Sequence, residues 1–269
     1  GTSLPELAVA IEAVRTDSPD IAIGGVLGSN VANVMLVLGA AALFGAKSQT
    51  GDAVKRDSLA VVVATAFMAF FVIMGEIPMI GGIVMLVSLS GYYLYTYSKA
   101  ISGEDVYEFE DSWLSEKISV AIPACLVGGL MIWFGAELLV SGSKGIADTF
   151  GVSEAVIGLT IVALGTSLPE LAVTLVAGLR GQGGVAVGNV LGSNVMNIMG
   201  IIGIASIVGN GIIVDSVFTR DIAVVVVTSG FVVGVFLSGK DFSKTMGSLM
   251  IIIYLTYMTY LAGILDGLV

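Results

Sequence analysis

Glu6 and Glu170 stand in the same nine-residue string, GTSLPELAV, which occupies residues 1–9 and again residues 165–173. Around Glu170 the chain is otherwise apolar from about Ala155 to Leu179, a stretch long enough to cross a bilayer. An ionised side chain at the bilayer centre costs about 2.5–3.5 kcal/mol on insertion scales. Two carboxylates at repeat-related positions therefore call for a compensating charge. A proline precedes each of them, Pro5 and Pro169. Proline lacks the N–H that the carbonyl four residues back would accept, here that of Gly1 or Gly165, and the Gly-Thr-Ser ahead of it is pliable. The pattern predicts a helix break beside each acid, with freed carbonyl oxygens. Irregular backbone at membrane depth persists only where it is buried or lines a cavity.

A second string repeats with the first. LGSNV at 27–31 returns at 191–195, and Asn33 returns as Asn197. Ser29 and Asn33 are four apart, as are Ser193 and Asn197, so each pair shares a helical face and offers uncharged oxygen. Gly24 with Gly28, and Gly188 with Gly192, form the small-residue steps that let membrane helices approach closely. Such steps commonly serve packing alone, and it is their pairing with GTSLPE in both halves that points to a site. Two carboxylates, two amides, hydroxyls and backbone carbonyls make an all-oxygen set. Hard cations want this: calcium takes about 6–8 oxygens, whereas soft transition metals recruit Cys or His. An empty site would leave two unpaired carboxylates at low dielectric, while a loaded one is nearly neutral. If only loaded states reorient, ions competing for the same oxygens must swap, which is antiport.

Composition removes the competing chemistries. The 269 residues are 56% apolar and 12% charged, with a net charge of −10, and the mean hydropathy is +1.01; soluble chains are about a quarter charged. There is no histidine, so Ser-His-Asp catalysis, His-ligated zinc or haem and imidazole proton relays are excluded. With no Ser-His pair and no Asp pair inside the apolar runs, an intramembrane protease is excluded as well. The single cysteine, Cys125, allows neither a disulfide framework nor a thiolate metal site. The acidic balance argues against nucleic acid. The chain reads as a membrane transporter rather than an enzyme, with lipid and ions as partners, no cofactor, and a monomeric state.

Apolar runs of spanning length fall at about 21–46, 58–75, 79–98, 118–141, 153–180, 184–208, 221–238 and 246–265, with residues 1–14 as half of another. The offset of 164 between the two copies of each motif holds across them. In the second half, residues 118–164 precede the GTSLPE string, whereas the first half opens on the string itself. The expected fold is therefore an all-α polytopic bundle of two five-helix repeats. The first is truncated at its N-terminus, leaving about eight and a half of ten helices. Residues 1–98 form the first repeat, lacking helix 1 and half of helix 2. Residues 99–117 form an acidic cytoplasmic loop and residues 118–269 the second repeat. Five spans per repeat is an odd number, so the repeats enter the membrane from opposite sides, the inverted topology of many secondary transporters. With the acidic loop cytoplasmic, that side receives Lys47, Lys55, Arg56, Lys99, Lys117, Arg180, Lys240 and Lys244, against Arg15, Lys144 and Arg220 on the other, as the positive-inside rule requires.

The paired GTSLPE and LGSN motifs closely resemble the α-repeats of the cation/calcium antiporter superfamily, nearest its sodium/calcium exchanger branch. The resemblance covers essentially the whole chain. It implies a calcium/sodium antiporter working by alternating access at a midplane site, in the plasma (inner) membrane of a prokaryote. It also implies that the first and sixth helices slide against the rest. Carried over by position, the ligands are Thr2, Ser3, Glu6, Ser29 and Asn33 from the first repeat. From the second they are the Ala163 carbonyl, Thr166, Ser167, Glu170, Ser193 and Asn197. Exchangers often carry Asp where Asn197 stands, so this chain has one carboxyl fewer and more symmetric halves. Proton-coupled calcium antiporters of the superfamily are the alternative; they add a Glu-His signature that is missing here. A cation channel ranks lower still.

Overall fold

The computed structural model describes residues 1–44, 51–101 and 118–266. Most of the expected acidic loop, including Glu104, Asp105, Glu108, Glu110, Asp111 and Glu116, lies outside the described residues, as do Lys47 and Lys117. The first half consists of α1 (Leu4–Arg15), α2 (Pro19–Ala32), a π-helical turn (Asn33–Val37), α3 (Leu38–Leu43), α4 (Asp52–Met74), the short strand β1 (Glu76–Ile77) and α5 (Met79–Ile101). The second consists of α6 (Ile118–Phe150), α7 (Glu154–Ile157), a π-helical turn (Gly158–Val162), α8 (Ala163–Thr166), α9 (Leu168–Leu179), α10 (Gly183–Val195), a π-helical turn (Met196–Ile202), α11 (Gly203–Val208), β2 (Ile212–Ile213), α12 (Phe218–Leu237) and α13 (Lys244–Asp266).

The repeat survives in backbone detail. α1 ends with Asp17 in the left-handed region at φ 60°, where the Ser18 N–H reaches back to the Ala13 carbonyl. α9 ends the same way at Gly181, with Gln182 N–H on the Ala177 carbonyl. Such a left-handed residue closes a helix by taking up its last carbonyls, and positions 17 and 181 are repeat-mates. The π-helical turns at Asn33 and Met196 are likewise equivalent.

Six helices among the described residues are long and apolar enough to cross a membrane, and the bent pair Glu154–Thr166 with Leu168–Leu179 adds a seventh. β1 pairs antiparallel with β2, tying the α4–α5 turn to the α11–α12 turn at one end of the bundle. These turns are not repeat-mates. The mate of the α11–α12 turn is the α3–α4 connection, at the other end of α4. The pairing therefore requires the halves to run in opposite senses. The halves also interleave: α3 packs on α13, and α11 on α5.

Burial sorts the helices by depth. The span Pro19–Leu43 has 94% of its most apolar window buried, against 6% for Ser119–Phe150. α2 is thus the centre of the bundle and α6 faces outward along nearly its whole length. α6 also runs past the expected end at 141 to Phe150, because hydropathy marks where lipid stops and the helix continues beyond. Its tail lies against the end of α1: Lys144 donates to the Thr16 carbonyl at 2.8 Å and Arg15 sits over the Trp133 ring. Glu137 is exposed on α6.

Candidate cation site

The predicted break in the second repeat occurs, two residues ahead of its proline. The second repeat bends by 43° between α8 and α9, with Ser167 at the joint and Pro169 in the first turn of α9. α1 likewise begins after Ser3, with Pro5 in its first turn. A first-turn proline costs no intrahelical bond, so the Gly1 carbonyl is not freed as expected; it accepts the Leu4 N–H at 3.4 Å. Each glutamate then projects from the first turn of the new helix into the interior. Glu6 is 4% exposed and Glu170 is fully buried at 0%.

The sequence-predicted oxygens come together in two clusters. Around Glu170, its Oε1 accepts the Ser3 hydroxyl at 3.2 Å and the Ser193 hydroxyl at 3.4 Å. In the other, Ser29 donates to the Ala163 carbonyl at 3.3 Å and accepts from Ser167 at 3.0 Å. Thr166 lies 3.4 Å from Ser29 and donates to the Val162 carbonyl at 3.0 Å. Glu6 shares a narrow crevice with Thr166, Val162, Ile21 and Gly25. Thr2 differs from its mate Thr166: it precedes α1, is half-exposed, and lines a cavity of about 380 Å³ beside Ser3, Gly188, Gly192 and Ser193. Asn33 and Asn197 sit at the π-helical turns, both 0% exposed, and face each other's repeat through Asn194 and Asn30.

Charge is the notable feature. Both oxygens of Glu6 and Oε2 of Glu170 are buried with no hydrogen-bond partner among the described residues. The ion pairs described there are Arg15–Glu12, Lys55–Asp52 and Arg56–Asp57; none involves either acid. No three His, Cys, Asp or Glu side chains gather among the described residues, so anything bound here would find two carboxylates and otherwise neutral oxygen. Sequence reasoning missed Asn30 and Asn194, although both are in the repeated string. It also missed Asn189, which donates to Thr174 at 2.9 Å and to the Glu170 carbonyl at 3.4 Å. The mate of Asn189 is Gly25, so no repeat signal marked it.

Interleaved inverted repeats around two buried acids define an integral membrane protein of the secondary-transporter class. The chain belongs to the sodium/calcium exchanger protein family, whose model matches residues 1–98 and 120–263. It is 32% identical over 230 residues to the putative antiporter CaxA of Alkalimonas amylolytica, covering 82% of this chain and 71% of that protein. It is 29% identical over 249 residues to the sodium/calcium exchanger MaX1 of Methanosarcina acetivorans, covering 77% of this chain and 70% of that protein. Its structure is similar to that of the sodium-calcium exchanger NCX_Mj soaked with 100 mM Na+ and 10 mM Sr2+, at a TM-score of 0.70 and 30% identity. That match covers 96% of this chain and 82% of that one. These relatives are named as antiporters and exchangers, none as an enzyme.

Proposed function

We propose that the protein exchanges calcium for sodium across the inner membrane of a prokaryote, as a monomer, by alternating access at the site just described. Residues 1–98 and 118–269 act as the two repeats, joined by residues 99–117. Glu6 and Glu170 supply the charge. Thr2, Ser3, Ser29 and Asn33, with the Ala163 carbonyl, Thr166, Ser167, Ser193 and Asn197, supply neutral oxygen.

The observation that supports this most is the pair of buried carboxylates without a cationic partner among the described residues. Leaving charge uncompensated in the interior costs several kcal/mol per ion. One calcium or two sodium ions would cancel it, and the neutral oxygens suit both ions. Release of one ion without arrival of the other restores the penalty, which couples the two flows. The lightly buried α6, held to the rest chiefly along α1, is suited to slide as the site changes sides.

The test is calcium-45 uptake by sodium-loaded proteoliposomes bearing the full-length protein. Uptake should need the outward sodium gradient and should vanish in Glu170→Gln. Uptake that persists at the normal rate in Glu170→Gln, or without sodium, would falsify the reading. Uptake driven by a pH gradient alone would replace sodium with protons as the counter-ion.

A further inference from the structure

Four buried asparagines meet where α2 and α10 pass the π-helical turns, and only Asn33 and Asn197 belong to the proposed oxygen set. Each of these two is tied by its nitrogen end to the opposite repeat. Asn33 Nδ2 donates to Asn194 Oδ1 at 3.1 Å, and Asn197 Nδ2 donates to Asn30 Oδ1 at 3.4 Å. The Oδ1 atoms of Asn33 and Asn197 are left buried with no hydrogen-bond partner among the described residues. All four side chains are at most 1% exposed.

An amide carries an acceptor at one end and two donors at the other, in nearly the same shape. Packing alone therefore cannot choose which end faces a neighbouring ion, whereas a hydrogen-bond acceptor behind the amide can. Presented by its NH2 end, an asparagine would repel a cation with two partly positive hydrogens and would remove an oxygen from the site. We propose that Asn30 and Asn194 are positioning residues: each captures the nitrogen of the other repeat's asparagine and so turns a carbonyl oxygen toward the cation. Asn194 is itself anchored, since its Nδ2 donates to the Asn30 main-chain carbonyl at 3.4 Å. Asn30 Nδ2 has no such anchor among the described residues. Asn194 is therefore the firmer of the two.

The inference rests on the cation site proposed above and extends it to residues that give the ion no oxygen. It predicts the behaviour of outer ligand-orienting groups, whose loss typically weakens metal affinity about 10–100-fold. In the sodium-loaded proteoliposome assay, Asn194→Ala should raise the KM for calcium about tenfold while kcat stays within about twofold of wild type. The deciding variant is Asn33→Asp, whose side chain offers oxygen whichever way it turns. In that background, adding Asn194→Ala should change KM by less than about twofold.

An unchanged KM in Asn194→Ala protein that inserts and exchanges would overturn the assignment. So would an equal tenfold loss in the Asn33→Asp background, because a merely structural brace would be missed in both. If Asn194→Ala does not insert, Asn30→Ala with Asn197→Asp as its partner gives the same reading. A wild type that fails to exchange sinks the exchange reading, and this assignment with it; a wild type that exchanges beside an insensitive Asn194→Ala sinks this assignment alone.

Discussion

The glycine step meets different neighbours in the two repeats. A methyl group on Gly28 would lie 2.5 Å from the Leu159 carbonyl oxygen and 2.6 Å from the Ala163 Cβ, and one on Gly24 would lie 2.7 Å from the Ala155 carbonyl oxygen. Here α2 rests directly on α7, α8 and the turn between them. On α10, Gly188 and Gly192 have nothing within 4 Å of such a methyl and border the open cavity instead. The neighbouring serines follow suit. Ser29, pressed against α8, donates to the Ala163 carbonyl, whereas Ser193 donates to Glu170. Glu170 thus accepts two hydroxyls, from Ser3 and Ser193, while Glu6 faces Thr166 across the narrow crevice.

The largest effects should come from the carboxylates themselves. Glu6→Gln and Glu170→Gln should each lower calcium affinity by about a hundredfold, roughly 2.7 kcal/mol, in equilibrium calcium-45 binding. Without an ion each buried carboxyl bears the cost of its burial, so neither Gln variant should melt below wild type in calcium-free, sodium-free buffer. A lowered melting temperature in either would mean that the acid stabilises the fold on its own.

The glycines come next. Overpacking a close helix contact costs about 1–3 kcal/mol, so Gly28→Ala should lower the melting temperature of the purified chain and weaken exchange. Gly24→Ala should do the same, its methyl meeting the Ala155 carbonyl oxygen at 2.7 Å. If both alanines are tolerated, the close approach of α2 to α7 and α8 is not what orients Ser29.

Much of this was legible in the letters. The 164-residue offset, the two prolines and the paired acids located the bend in the second repeat, the start of α1 and the pair of buried acids, because repeat symmetry turns a weak local signal into two independent ones. The π-helical turns at Asn33 and Met196 were not legible, since a widened turn is chosen by what packs around it and not by the residues inside it. Asn30 and Asn194 were visible as letters and still passed over: a four-residue spacing on one helix face picks out Ser29 with Asn33, whereas the contacts of Asn30 and Asn194 cross to the other repeat. The split between the two serines, Ser29 on the Ala163 carbonyl and Ser193 on Glu170, is a property of tertiary structure alone.

The smallest predicted effect tests the comparison away from the site. Asp57 near the start of α4 and Asp221 near the start of α12 are repeat-mates, and each takes a tyrosine hydroxyl from the following long helix. Tyr92 donates to Asp57 at 2.9 Å and Tyr257 to Asp221 at 2.7 Å. The two tyrosines are not themselves mates, so the repeats reach one contact by different residues. Asp57 also accepts Arg56 Nε at 2.9 Å on the same oxygen, and that ion pair survives loss of the phenol. Hydrogen bonds to charged groups contribute about 1.5–3 kcal/mol and neutral ones about 0.5–1.5. Tyr257→Phe should therefore cost the chain about 1.5–3 kcal/mol, and Tyr92→Phe, with the arginine still bound, no more than about 1 kcal/mol. Thermal unfolding of the two variants in detergent decides the order. If Tyr92→Phe is the more damaging, Arg56 does not hold Asp57 once the hydroxyl is gone, and the α4–α5 contact depends on its tyrosine as heavily as the α12–α13 contact does.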